Sequence, residues 1–188
     1  MQRSPLFGHT PDTLCRSSSM TGFHCATCGQ YHDEFPMCFG PSAPELWYRL
    51  PPEEREARAL LSSDQCMIDE QHFFVLGRIL IPVIDSPEPF VWLAWVSLSD
   101  HNFHRVCELW ETEGREQEPP YFGWLQSALP YTTPTLSLKT HLHTMPLGER
   151  PLIELELTDH PLAQDQHRGI TLARAQQMAE AVLHGQRI

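Results

Sequence analysis

The residues most able to do chemistry in this chain are two cysteines and a histidine in one short stretch, Cys25-xx-Cys28-Gly29-xx-His32. A CxxC spacing presents two sulfurs to one point in a tight turn, and Gly29 supplies the positive φ that such a turn often requires. Thiolates together with an imidazole are ligands that suit Zn²⁺. The spacing therefore predicts a zinc knuckle within residues 23–38.

The fourth ligand of this knuckle does not follow from local spacing, because the sequence contains no second CxxC. The candidates are Cys38, His24, Cys66, His143 and His160, and we take the distant His143 as the expected ligand. A site closed by four protein ligands is structural, whereas three ligands and a water make a catalytic one. We expect a structural Zn²⁺, because this Pro-rich segment has little apolar core of its own.

A second polar group lies near the middle of the C-terminal half. Residues 136–145 and 153–158 both alternate apolar with polar side chains, which predicts an antiparallel hairpin with one polar face. His141 and His143 share that face with Glu154 and Glu156. The face is either an acid–base or metal-binding patch or a solvated surface with complementary charges, and the solvated surface is favoured.

The elements that position these residues are short, because seventeen prolines interrupt the chain. Residues 51–61 predict a helix, and residues 73–84 and 90–98 predict strands, the latter central because both of its faces are apolar. Ser99 and Thr171 have the residue type and position of helix N-caps. The pattern predicts an α+β fold: a mostly antiparallel sheet, helices packed on one face, and the zinc knuckle at its N-terminal end.

Length and charge limit the remaining interpretations. We expect a disordered tail over residues 1–19 and a single domain over residues 20–188. The net charge of −11 disfavours nucleic acid and anionic membranes as partners. No apolar stretch is long enough to span a bilayer, and no signal peptide is evident, so a cytoplasmic location with reduced cysteines is predicted. A protein partner and the oligomeric state stay open.

The order of the motifs resembles one known family. Those motifs are Cys25-xx-Cys28-Gly29-xx-His32, Asp64-x-Cys66-x-Ile68-Asp69, Phe90-x-Trp92-xx-Trp95-Val96-Ser97-Leu98-Ser99, Tyr121-Phe122-Gly123-Trp124-Leu125, Arg150-Pro151, Asp159-His160-Pro161-Leu162-Ala163 and Gly169-Ile170-Thr171. Together they resemble the bacterial family of uncharacterised proteins catalogued as domain of unknown function 2199, over about residues 23–182. The resemblance implies a single-domain bacterial protein and brings no activity, substrate or partner with it.

Three functional hypotheses follow from these observations. The leading one is a zinc-stabilised binding module without catalysis, because the sequence shows no recognisable catalytic set. The first alternative is a metal-dependent hydrolase with an open zinc position facing a pocket of His143, Glu154, Glu156 or His160. The second is an acidic protein that binds and neutralises a basic protein partner, which only the net charge supports.

Overall fold

The structure, a computed structural model, describes residues 21–188, so the tail expected over residues 1–19 lies outside the described residues. The strands of the described chain are β1 (Thr21–His24), β2 (Tyr31–Glu34), β3 (Cys38–Phe39), β4 (Ala59–Leu61), β5 (Gln65–Ile68), β6 (His72–Ile81), β7 (Phe90–Leu98), β8 (Tyr121–Leu125), β9 (Lys139–His143) and β10 (Leu152–Leu155). The helices are α1 (Glu45–Arg49), α2 (Arg55–Arg58), α3 (Asp100–Glu108), α4 (Pro161–Arg168) and α5 (Leu172–Leu183). Short 3-10 turns cover Pro52–Glu54 and Arg115–Gln117.

Five of the strands close into a barrel. β6 pairs with β7, and β8, β9 and β10 follow in order until β10 reaches the other edge of β6. The neighbours in this ring are antiparallel except β10 and β6, which run parallel with Leu152 opposite Arg78. β3 extends the sheet beside β7, and β5 and β4 extend it beside β6. The α+β class is thus confirmed, but the sheet is a closed barrel with extensions and not simply an open antiparallel sheet.

Gly77 makes the closure between β10 and β6 sterically possible. A Cβ at this position would lie 2.8 Å from Cγ1 of Ile153 and 3.0 Å from the carbonyl oxygen of Pro151. Glycine inside a strand often marks such a close approach of another backbone. β6 runs unbroken through Gly77.

Two apolar cores lie on opposite faces of the long strands β6 and β7. The first contains alternate residues of β6 and β7 together with Phe103 of α3, Leu162 of α4 and Met178 of α5. The second is smaller and lies under α1, where Trp47 packs against a cluster that includes Trp95. The longer helices thus share one core as predicted, whereas α1 covers the other face, so the helices are not all on one side.

The predicted helix over residues 51–61 is only partly present. The 3-10 turn and α2 end at Arg58, and Ala59 begins β4, which pairs antiparallel with β5. By contrast, Ser99 caps α3 by accepting the backbone N–H of Asn102, and Thr171 caps α5 by accepting that of Arg174. Both N-caps and the β9–β10 hairpin are confirmed. In the described residues, no helix is long and apolar enough to cross a bilayer.

Candidate metal centre

The knuckle is a short hairpin whose turn carries the two cysteines. β1 pairs with β2, and the backbone N–H of Gly29 donates to the carbonyl of Cys25 at 2.9 Å. Gly29 has a φ of 71°, which is the left-handed conformation that glycine adopts without a steric cost. This turn directs the N–H of Cys28 towards Sγ of Cys25 at 3.5 Å. The sequence prediction for this turn, including the positive φ, is confirmed.

The third predicted ligand, His32, lies beside the same turn. Its Nε2 is 3.5 Å from Sγ of Cys28. The ring stacks on Phe23, with centroids 5.1 Å apart and planes 15° from parallel, and this contact holds the imidazole towards the cysteines. Phe23 and His32 are opposite each other in the β1–β2 register, so the hairpin itself sets the stacking.

The fourth side chain of the cluster is His184, at the C-cap of α5. Its Nε2 is 3.1 Å from Sγ of Cys25. The four donor atoms of Cys25, Cys28, His32 and His184 all lie within 4.8 Å of one another. Tetrahedral zinc, with Zn–S and Zn–N distances of about 2.3 and 2.0 Å, places its donor atoms about 3.3–3.8 Å apart. A single Zn²⁺ therefore fits this donor set after small side-chain adjustments.

The chemistry of the four donors also suits Zn²⁺. Two thiolates balance the charge of the ion, and two neutral imidazoles complete a Cys₂His₂ set, one of the common structural zinc combinations. The C-terminal end of a helix carries a partial negative charge, so His184 brings the cation to a favourable position. Cys25 is buried and Cys28 is exposed, so the centre lies at the surface with one sulfur shielded from water.

Helix α5 holds the knuckle through two further side chains on the same stripe as His184. Gln176 donates from Nε2 to the carbonyl of His24 at 3.0 Å, and Glu180 accepts the backbone N–H of Ala26 at 3.0 Å. Gln176 also donates to Glu180 at 2.8 Å. Positions 176, 180 and 184 follow one another at intervals of four, which places them on one face of the helix. The helix thus fixes the hairpin by backbone contacts as well as by the candidate metal ligands.

The structure places His143, the expected fourth ligand, elsewhere. It ends β9, and its Nε2 lies 2.9 Å from Oε2 of Glu154 on β10. His143 is not part of the metal cluster, because the β9–β10 hairpin carries it to a different part of the molecule and pairs it with a carboxylate. In the structure His184, and not His143, lies beside the three predicted ligands.

The other candidates for a fourth ligand also lie outside the cluster of four donor atoms. The His24 ring packs edge-on against Tyr31, and His160 caps α4 by accepting the N–H of Leu162. Cys38 begins β3. Cys66 is fully buried in the second core, and burial raises the pKa of its thiol to about 12, so it is a packing residue and not a ligand.

Sequence reasoning missed His184, although one signal was present. Residues 176, 180 and 184 carry polar, ligand-capable side chains on the face of α5 that is not apolar. That pattern shows which face is polar but does not show that this face meets residue 25. Because 159 positions separate Cys25 from His184, only the packing of α5 against the knuckle brings them together.

Comparison with known proteins identifies a family for this chain but does not identify an activity. The family model described as uncharacterized protein conserved in bacteria, domain of unknown function 2199, matches residues 24–170. His184 lies beyond that matched span. No curated protein and no solved structure matches the chain significantly. Because the match covers most of the chain, this protein belongs to the bacterial domain of unknown function 2199 family.

Proposed function

We propose that this protein is a binding module whose fold is closed by one structural Zn²⁺, held by Cys25, Cys28, His32 and His184. The observation that carries the proposal is the convergence of these four donor atoms within 4.8 Å. Three of the residues lie in the β1–β2 hairpin or its turn, and the fourth, His184, lies at the end of the last helix. In this proposal the metal joins the two ends of the described chain.

The number of protein donors favours a structural role over a catalytic one. Four protein ligands fill the tetrahedron and leave no position for an activated water, which a zinc hydrolase requires. The metal-dependent hydrolase also requires the metal to face a pocket with His143 or Glu154. The cleft beside those two residues is lined by none of the four ligands.

The proposal assigns the metal a large part of the stability of the knuckle. Zinc binding contributes on the order of 10 kcal/mol in small zinc domains, because the site exists only in the folded state. Here β1 and β2 form a two-stranded sheet of their own, and such a hairpin is marginally stable in water. The thiols of Cys25 and Cys28 are free in this structure, as binding to a metal requires.

The test is metal analysis of protein purified without an affinity tag. We expect about one equivalent of zinc per chain, and less than about half an equivalent in Cys28→Ala and in His184→Ala. Matched controls are Cys107→Ala and His143→Ala, which change the same residue types outside the cluster and keep the full zinc content. Wild-type protein with less than about half an equivalent of zinc, or unchanged zinc in His184→Ala, contradicts the proposal.

A crystal structure with anomalous scattering at the zinc edge separates the proposed role from the hydrolase alternative. Four protein ligands around the ion support the structural role. A water in the fourth position, with His184 turned away, supports an open catalytic site.

A further inference from the structure

A cleft of about 620 Å³ lies beside the end of β9, and none of the four candidate metal ligands lines it. This volume is within the range of small-molecule binding sites. Strands β6, β9 and β10 form its floor, and the segment after β9 forms a wall. Apolar side chains make up much of that surface: Leu80, Met145, Pro146, Leu152 and Ile153.

The cleft presents hydrogen-bond acceptors to a ligand. Glu116 and Glu154 both line it. Nε2 of His143 must be the donor in its 2.9 Å hydrogen bond, because an ionised Glu154 carboxylate only accepts. In the neutral ring, Nδ1 of His143 is then an acceptor as well.

The other polar side chains of the cleft are engaged in holding the fold. Arg78, a cation among the lining residues, donates to Oε2 of Glu149 at 3.1 Å and to the carbonyl of Arg150 at 3.0 Å. Gln166 uses both ends of its amide on the backbone of β10, at Ile153 and Leu155. The carboxylates of Glu116 and Glu154 therefore dominate the charge that a ligand meets in this cleft.

The wall of the cleft is held in place by one buried guanidinium. Arg115 donates to the carbonyl oxygens of Met145, Pro146, Glu149 and Trp110. Its own carbonyl accepts the hydroxyl of Thr144 at 2.5 Å. A wall fixed by this many hydrogen bonds does not have to be ordered when a ligand binds, which lowers the entropic cost of binding.

We propose that this cleft is a binding site for a small organic cation, an amine with an apolar body. The apolar floor takes the body, and the carboxylates of Glu116 and Glu154 bind the ammonium group through charge-assisted hydrogen bonds. The net charge of −11 attracts a cation to the protein and repels an anion of the same shape. The site goes beyond the proposed structural zinc, because the metal ligands take no part in it.

The test is an NMR titration of the full chain, loaded with zinc, with 2-phenylethylamine as the probe. We expect saturable shifts of the backbone amides of Met145, Leu152 and Ile153, with a dissociation constant on the order of 1 mM for so small a ligand. The neutral 2-phenylethanol and the anion 3-phenylpropionate have similar bodies and different charges. We expect both to bind at least about tenfold more weakly than the amine.

Single variants test which carboxylates bind the ammonium group of the amine. Glu154→Gln and Glu116→Gln should each weaken amine binding about five- to tenfold. Glu156→Gln is the matched control, because Glu156 follows β10 and lies beside Lys139, outside the cleft. That control should leave the affinity unchanged.

Three results overturn the proposal: no saturable shift at the cleft, equal binding of 3-phenylpropionate, or unchanged affinity in both glutamate variants. Zinc content measured on the same samples separates this test from that of the metal centre. If amine binding is absent while one equivalent of zinc is present, the cleft proposal fails and the zinc proposal stands.

Discussion

Sγ of Cys25 and Nε2 of His184 lie 3.1 Å apart, although 159 positions separate the two residues in the sequence. The first belongs to the hairpin at the start of the described chain, and the second ends the last helix. All five strands of the barrel lie between them in the sequence. If both atoms bind one metal ion, as we propose, the ion closes a loop that contains most of the protein, and the effect of that closure can be measured.

Removing His184 should lower stability only when zinc is present. In excess zinc, we expect His184→Ala to reduce the free energy of unfolding by about 3 kcal/mol or more, because a metal ligand is lost. When a chelator removes the zinc, the free energies of unfolding of the wild type and the variant should agree to within about 1 kcal/mol. Urea denaturation in both conditions measures this, with His143→Ala as the control. An equal loss with and without zinc would show that His184 acts through packing alone.

Arg115 should be irreplaceable by lysine. Its guanidinium is buried and donates to four carbonyl oxygens, and burial lowers its pKa. An ammonium group cannot serve so many separated acceptors, so Arg115→Lys should cost about 2–4 kcal/mol of stability and expose the amides of residues 144–149 to hydrogen exchange. Arg49→Lys, at an exposed arginine, is the control. Unchanged exchange in residues 144–149 would contradict the role given to Arg115 in the cleft wall.

Gly77 and Ile153 should be energetically coupled. Gly77→Ala places a methyl group where Cγ1 of Ile153 would be 2.8 Å away, so we expect a loss of about 1–3 kcal/mol from overpacking. Ile153→Ala alone should cost about 2–5 kcal/mol through the cavity it leaves. The double variant should lose less than the sum of these, because the new methyl group occupies part of that cavity. Additive losses in urea denaturation would show that the two sites do not meet.

Tyr121 should make the protein sensitive to alkaline pH. Burial, and then its hydrogen bond to Glu118, raise the pKa of this phenol to about 12. The unfolded chain releases the proton near pH 10, so the folded state holds more protons between about pH 10 and 12, and stability falls as pH rises. The contribution of one such group is about 1.4 kcal/mol per pH unit.

Tyr121→Phe tests this contribution, because the variant has no phenol to ionise. Urea midpoints measured at several values between pH 8 and 11 should fall less steeply in the variant than in the wild type. Parallel curves for the two proteins would show that Tyr121 ionises as easily in the folded state as in the unfolded one.

Local features of this protein were predictable from its sequence. The CxxC turn, the positive φ of Gly29 and the N-caps at Ser99 and Thr171 depend on a few neighbouring residues. The span of β7 was also predicted correctly, because a continuous apolar run is buried on both faces wherever the strand lies in a sheet. Residues 59–61 were predicted to be helical, but their pairing with β5 makes them a strand, because that tertiary contact outweighs a weak local helical preference.

The sequence by itself determined the chemistry of the knuckle, the apolar and polar faces of the β9–β10 hairpin and the sign of the protein's charge. Tertiary structure alone decided that β10 returns to β6 to close the barrel, that His143 pairs with Glu154, and that His184 reaches the cysteines. The physical reason is the separation along the sequence of the residues that interact. Turns, caps and alternation follow from interactions between near neighbours, whereas strand closure and the fourth ligand depend on how distant surfaces pack together.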